Sequence, residues 1–140
     1  MTLRQLALNA LAHRAGPGAG AAAVAAAAQR AYDDLALVSI PLIGQVGVDA
    51  LTGRTLFLAQ RQYPWLAHTP EPDQWKGPFT QIVFCLEQQT PAVAMDAASA
   101  VLTTLTELII TFIGNPLTER VLQQAWPEAF SEADFRRHKA

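Results

Sequence analysis

The segment AVAMDAASAVLTTLTELIITFIG, residues 92–114, decides the fold. It is too long for a strand and carries only Asp96 and Glu107 as charges, so it reads as a buried helix stopped by Gly114. At about 100° per residue, Asp96, Ala100, Thr103, Thr104, Glu107, Thr111 and Gly114 share one side. Val101, Leu102, Leu105, Leu108, Ile109, Phe112 and Ile113 cover the rest. A helix apolar on most sides belongs at the centre of a bundle. A membrane span is the rival reading. The stretch 97–113 falls short of the roughly 20 apolar residues a bilayer demands, contains Glu107, and lacks Lys or Arg at its ends.

Glu107 is the acid this arrangement makes conspicuous. Thr and small residues around it suit close contact with another helix, so the seam reads as at least half buried and Glu107 as needing a counter-charge. Arg54 and Arg120 are the candidates, in the similar phrases LTGRTL (51–56) and LTERVL (117–122). Arg54, on a separate helix, is the preferred partner. The echo would fit two helices packing alike beside the long one, although a short match of Leu and Thr is often accidental.

Working outward, GPGAG at 16–20 ends a first helix capped by Thr2, with Leu3, Leu6, Ala10 and His13 along one stripe. The Ala-rich stretch from about 20 to 38 propagates a second. Ser39 and Pro41 read as the start of another helix, weakened at Gly44 and Gly47, with firm periodicity from Val48 to about Gln62. Residues 64–78, PWLAHTPEPDQWKGP by way of Trp65, His68 and Trp75, form a long Pro- and Trp-containing loop: a lid over a site, or a strap whose aromatics plug the core. FTQIVFCLEQQ at 79–89 suits either a strand or a helix; with no second strand to pair with, helix is expected. Asn115 and Pro116 open a helix that Pro127 closes, and Ser131 begins a final frayed one over 131–140. The expectation is an all-α fold: a single domain, 1–140, forming a compact bundle of about five to six helices around the 92–114 helix.

The chain has 140 residues and is 51% hydrophobic, enough for a real core without disulfides or metals. A net charge of -2 and a pI near 5.8 disfavour nucleic acid, whose binders usually concentrate Lys and Arg on one face. Charged residues make up only 16%, leaving little charge to cover a monomer, so self-association is expected. The one cysteine, Cys85, sits in an apolar run without a basic neighbour and reads as an inert buried thiol. His13, His68 and His138 share no ligand spacing, so no metal and no cofactor are expected. The first residues carry Arg and no acid, but Asn9 and His13 interrupt the apolar core an export signal needs. A cytoplasmic location follows as the expectation.

No nucleophile, base and orienter assemble from these spacings. Two functions remain open. One is a non-enzymatic helical interaction or adaptor protein, self-associating as a dimer or meeting another helical protein. The other is a small-ligand domain or enzyme with a polar pocket of Glu107, Arg54 or Arg120, Thr103 and Thr111 beneath the 65–76 loop, which would contribute Trp65, His68 and Trp75.

Overall fold

The computed structural model describes residues 1–130, and within them every regular element is helical: α1 (Leu3–Ala15), α2 (Ala21–Ile43), α3 (Gln45–Gln62), a 3-10 turn (Pro64–Ala67), α4 (Pro78–Leu86), α5 (Pro91–Ile113) and α6 (Asn115–Ala125). The helix expected over 131–140 lies outside the described residues. Thr2 caps α1, its hydroxyl accepting from Gln5 N–H at 3.0 Å, and Thr90 caps α5 in the same way through Val93. The ambiguous segment at 79–89 is helical, with Pro78 in the first turn of α4.

One boundary differs from expectation. No helix starts at Ser39; α2 runs through Pro41 to Ile43. Pro41 removes a single backbone donor, which shortens the hydrogen-bond ladder without stopping a helix held by its neighbours, and the Ser39 hydroxyl returns a bond to the Leu35 carbonyl at 2.7 Å. The break comes at Gly44, whose φ of 87° lies in the left-handed region that favours glycine. Gly114, at φ 89°, ends α5 identically, and in both places the next helix begins at the following residue.

Similar patterns of buried positions recur in the helices of the two halves, each pair in its own register. Buried positions of α2 match those of α5: Val24 with Ala94, Ala27 with Ala97, Ala28 with Ala98, Ala31 with Val101, Leu35 with Leu105, Ser39 with Ile109. In α3 and α6, Thr52, Thr55, Leu56 and Ala59 match Thr118, Val121, Leu122 and Ala125. These lie in the LTGRTL and LTERVL phrases and just beyond them. Leu6, Ala7, Ala10 and Leu11 of α1 match Gln81, Ile82, Cys85 and Leu86 of α4. The helices α3 and α6 also end alike: Tyr63 (φ -126°, ψ 82°) and Trp126 (φ -129°, ψ 60°) each precede a proline and accept a hydrogen bond from the third residue on.

The halves cross over as they pack. Helix α1 lies on both α2 and α5, α4 lies on α2 and α3, α6 lies mainly on α2, and α3 mainly on α5. Helix α5 is therefore central, as expected, with α2 as its equal beside it. The Ala-rich composition of α2 explains that placement: Ala25, Ala27, Ala28 and Ala31 are wholly buried, and side chains this small let neighbouring helices approach closely. Trp126, also buried, locks α6 against α2 by donating its indole N–H to the Ala31 carbonyl at 3.0 Å. By length and composition α5 is apolar enough to cross a membrane, but more than half of its apolar window is covered by the other helices.

Candidate functional site

Glu107 is exposed, which corrects the expectation of a buried acid held by arginine. Among the described residues it makes no ion pair with Arg54, Arg120 or any other group. The Thr-containing seam is partly open to solvent, with Asp96, Glu107 and Thr111 exposed. Its hydroxyls are occupied locally, Thr103 donating to the Ser99 carbonyl at 2.7 Å and Thr111 to that of Glu107 at 3.1 Å. Threonines that satisfy themselves this way suit a solvent face as well as a helix contact, and the sequence pattern could not separate the two. Arg54 and Arg120 are exposed, and Arg54 stands with Arg61 over the ring of Phe57. The polar pocket drawn from Glu107, Arg54, Arg120, Thr103 and Thr111 is not assembled: no two of these side chains hydrogen-bond or pair among the described residues.

The 64–78 loop divides its work differently from expectation. The plugs are Leu66 and Pro70, both buried, whereas Trp75 is 45% exposed. Gln81 ties the loop down from α4. It is buried, donates to the Leu66 carbonyl at 2.8 Å and accepts from the Trp75 indole N–H at 3.2 Å. The Cys85 thiol donates to the His68 carbonyl at 3.1 Å, and burial pushes its pKa up, so the thiol is a protonated structural anchor. Of the three loop residues proposed for a site, Trp65 and His68 share a groove of about 470 Å³ with Cys85, Gln88 and Gln89, and Trp75 does not line it.

Two ion-pair nodes escaped the sequence reading. Arg14, whose side chain is only 10% exposed, pairs with Asp34 at 2.7 Å and with Glu128, and also donates to the carbonyls of Ala10 and Ala125. It joins the end of α1 to α2 and to the helical residues 127–130 that follow α6. Arg4 pairs with Asp96 at 2.6 Å, so the acid of α5 that takes an arginine is Asp96. The other oxygen of Asp96 accepts from the hydroxyl of Tyr63. Burial first, then this bond and the carboxylate charge, push the Tyr63 phenol up to about 12. Neither node has an unused acid, base or nucleophile. No group of three or more metal-ligating side chains comes together among the described residues.

The remaining feature is an end of the bundle. Tyr32, Leu35, Ser39 and Ile43 line one narrow apolar crevice with Leu105 and Ile109, so the C-terminal halves of α2 and α5 lie together. Around Gly44 and Gly114 stand exposed Leu42, Val46, Phe112 and Leu117, with Leu37 one turn back on α2. Residues 35–48 and 108–118, which build this end, contain no Asp, Glu, Lys or Arg. Comparison of the chain with protein-family models, with curated proteins and with solved structures finds no match to any of them.

Proposed function

We propose that the protein is a non-enzymatic helical interaction module that associates with a second copy of itself through the charge-free end of the bundle. The observation that carries the reading is the exposure of Val46 (83%), Leu37 (72%) and Phe112 (61%) beside Leu42 and Leu117, on two segments without a single charge. An aromatic side chain carries roughly 150–250 Å², so Phe112 alone offers on the order of 100 Å². Five such side chains approach about 500 Å² of apolar surface, the larger part of the roughly 800 Å² each partner contributes to a stable interface.

A partner of different character would be recognised by charge or by a row of hydrogen-bond donors, and this end supplies neither. A second copy needs neither. Two identical apolar ends meet without like charges at the centre, leaving Asp49, Glu107, Glu119 and Arg120 on the solvated rim. The crossover arrangement gives the end approximate twofold character, with Leu42 and Phe112 at corresponding positions before the two glycines. Light scattering over a concentration series tests the proposal. A dimer that dissociates on dilution, and that Phe112→Asp converts to monomer while leaving helicity unchanged, is the expected result. A wild-type chain that stays monomeric to about 1 mM, the affinity of the weakest specific complexes, overturns it.

A further inference from the structure

The opposite end of the bundle, where α1 and α4 finish, carries two grooves. In one, Arg14 at the end of α1 reaches across to Glu128 in the helical residues 127–130 after α6, and its donors are spent on Glu128, Asp34 and two backbone carbonyls. In the other stand Gln89, just beyond α4, and Trp65, in the 3-10 turn that follows α3. Both are uncharged, and they make no bond to each other.

The polar groups of this second groove are accessible from solvent and bond to no other side chain of the described residues. Among the described residues the Trp65 indole N–H, the His68 ring and the Gln89 amide have no partner, and Gln88 reaches only the Phe84 carbonyl of its own helix at 3.4 Å. The other two indole N–H groups are both engaged, that of Trp75 by Gln81 and that of Trp126 by Ala31. The walls are nonetheless fixed. Trp65 packs edge-on to Tyr63 with centroids 5.6 Å apart, His68 stacks on Phe84, and the Cys85 thiol in the floor is held by the His68 carbonyl.

The geometry points to a binding site for a small uncharged planar heteroaromatic whose edge carries both a donor and an acceptor, the chemistry shared by nicotinamide and the free nucleobases. Among the described residues no Asp, Glu, Lys or Arg lines the groove, so a charged ligand would lose its water without gaining a counter-charge there. A glutamine amide presents one donor and one acceptor in a plane and matches such an edge in two bonds. Trp65 supplies a flat apolar wall with one further donor. The volume of about 470 Å³ lies within the range of small-molecule sites.

Isothermal titration of the full chain with nicotinamide, adenine and uracil, and with benzoate as a charged aromatic of similar size, tests the site. At least one of the three neutral probes is expected to bind saturably at roughly millimolar strength or better, a realistic level for about ten non-hydrogen atoms. Benzoate is not. Gln89→Ala and Trp65→Phe each remove one hydrogen-bonding group and are expected to weaken binding roughly three- to tenfold, whereas Trp75→Phe leaves it unchanged. Circular dichroism of each variant separates loss of the site from loss of the fold. The inference is overturned if no neutral probe saturates by about 10 mM, well past that expected affinity. Equal binding of benzoate overturns it too, as does wild-type affinity in folded Gln89→Ala and Trp65→Phe. The association state of the chain does not enter any of these readouts.

Discussion

Replacing Arg14 by Ala removes the one strongly buried cation among the described residues and disconnects three segments at once. The side chain is 10% exposed and its two acids differ: Glu128 is 17% exposed and Asp34 49%. Breaking a buried ion pair costs about 3–5 kcal/mol, chiefly because the abandoned partner stays desolvated. Glu128 meets that description, whereas Asp34 recovers its hydration and contributes no more than the roughly 0–1 kcal/mol of an exposed pair. The carbonyls of Ala10 and Ala125 also lose a donor. Because the cluster lies at the rim of a groove that admits water, the expected loss is about 3 kcal/mol, or a fall in Tm of roughly 10 °C for a chain of this size. Urea denaturation followed by circular dichroism measures it. Asp34→Asn should cost less than about 1 kcal/mol. The double replacement Arg14→Met with Glu128→Met should recover part of the loss, since it leaves no unpaired charge. An Arg14→Ala loss below about 0.5 kcal/mol, the range of an ordinary surface change, would refute the reasoning.

Further expectations concern other parts of the molecule. Glu107→Gln should change stability by less than about 0.5 kcal/mol in the same denaturation assay, because the acid faces solvent. Gly44→Ala and Gly114→Ala should each cost on the order of 1–2 kcal/mol, since both positions hold φ near +90°, and calorimetry should show it. Both tyrosines have raised pKa values, so phenolate absorbance near pH 10 should be weak in the native protein, and Asp96→Asn should bring the Tyr63 step down from about 12. The sign for stability follows from proton binding. Between about pH 10 and 12 the unfolded chain releases the Tyr63 proton while the folded chain keeps it, so stability falls across that window.

Much of the architecture was legible because periodicity and punctuation report burial directly. The run at 92–114 emerges as α5 at Pro91–Ile113, and Thr2, Gly16, Gly44 and Gly114 mark ends that the backbone adopts. Pro41 misled because its missing N–H weakens a helix without saying whether neighbours hold it together. The site was less legible. A carboxylate in an apolar run is equally consistent with an ion pair inside and with a narrow uncovered stripe, and only the placement of α1, α2, α3 and α6 around α5 decides between them. Arg14 gave no signal because its partners lie twenty and more than a hundred residues away. The Leu-Thr-x-Arg-x-Leu echo did carry information, marking two helices that bury the same four positions, although its arginines face solvent in both.

The most direct test of end-to-end association is the distance between spin labels on two copies. With Cys85→Ser as background, labels go at Gln45→Cys, just past the charge-free end of α2, or at Ala22→Cys in the first turn of α2. A 23-residue helix is about 34 Å long at 1.5 Å per residue, so two bundles meeting through this end place the Ala22 labels roughly 70 Å apart and the Gln45 labels well under half that distance. Dipolar spectroscopy should therefore find a short intermolecular distance at position 45 and a long one at position 22. No intermolecular coupling at position 45, or the shorter distance at position 22, would contradict the account.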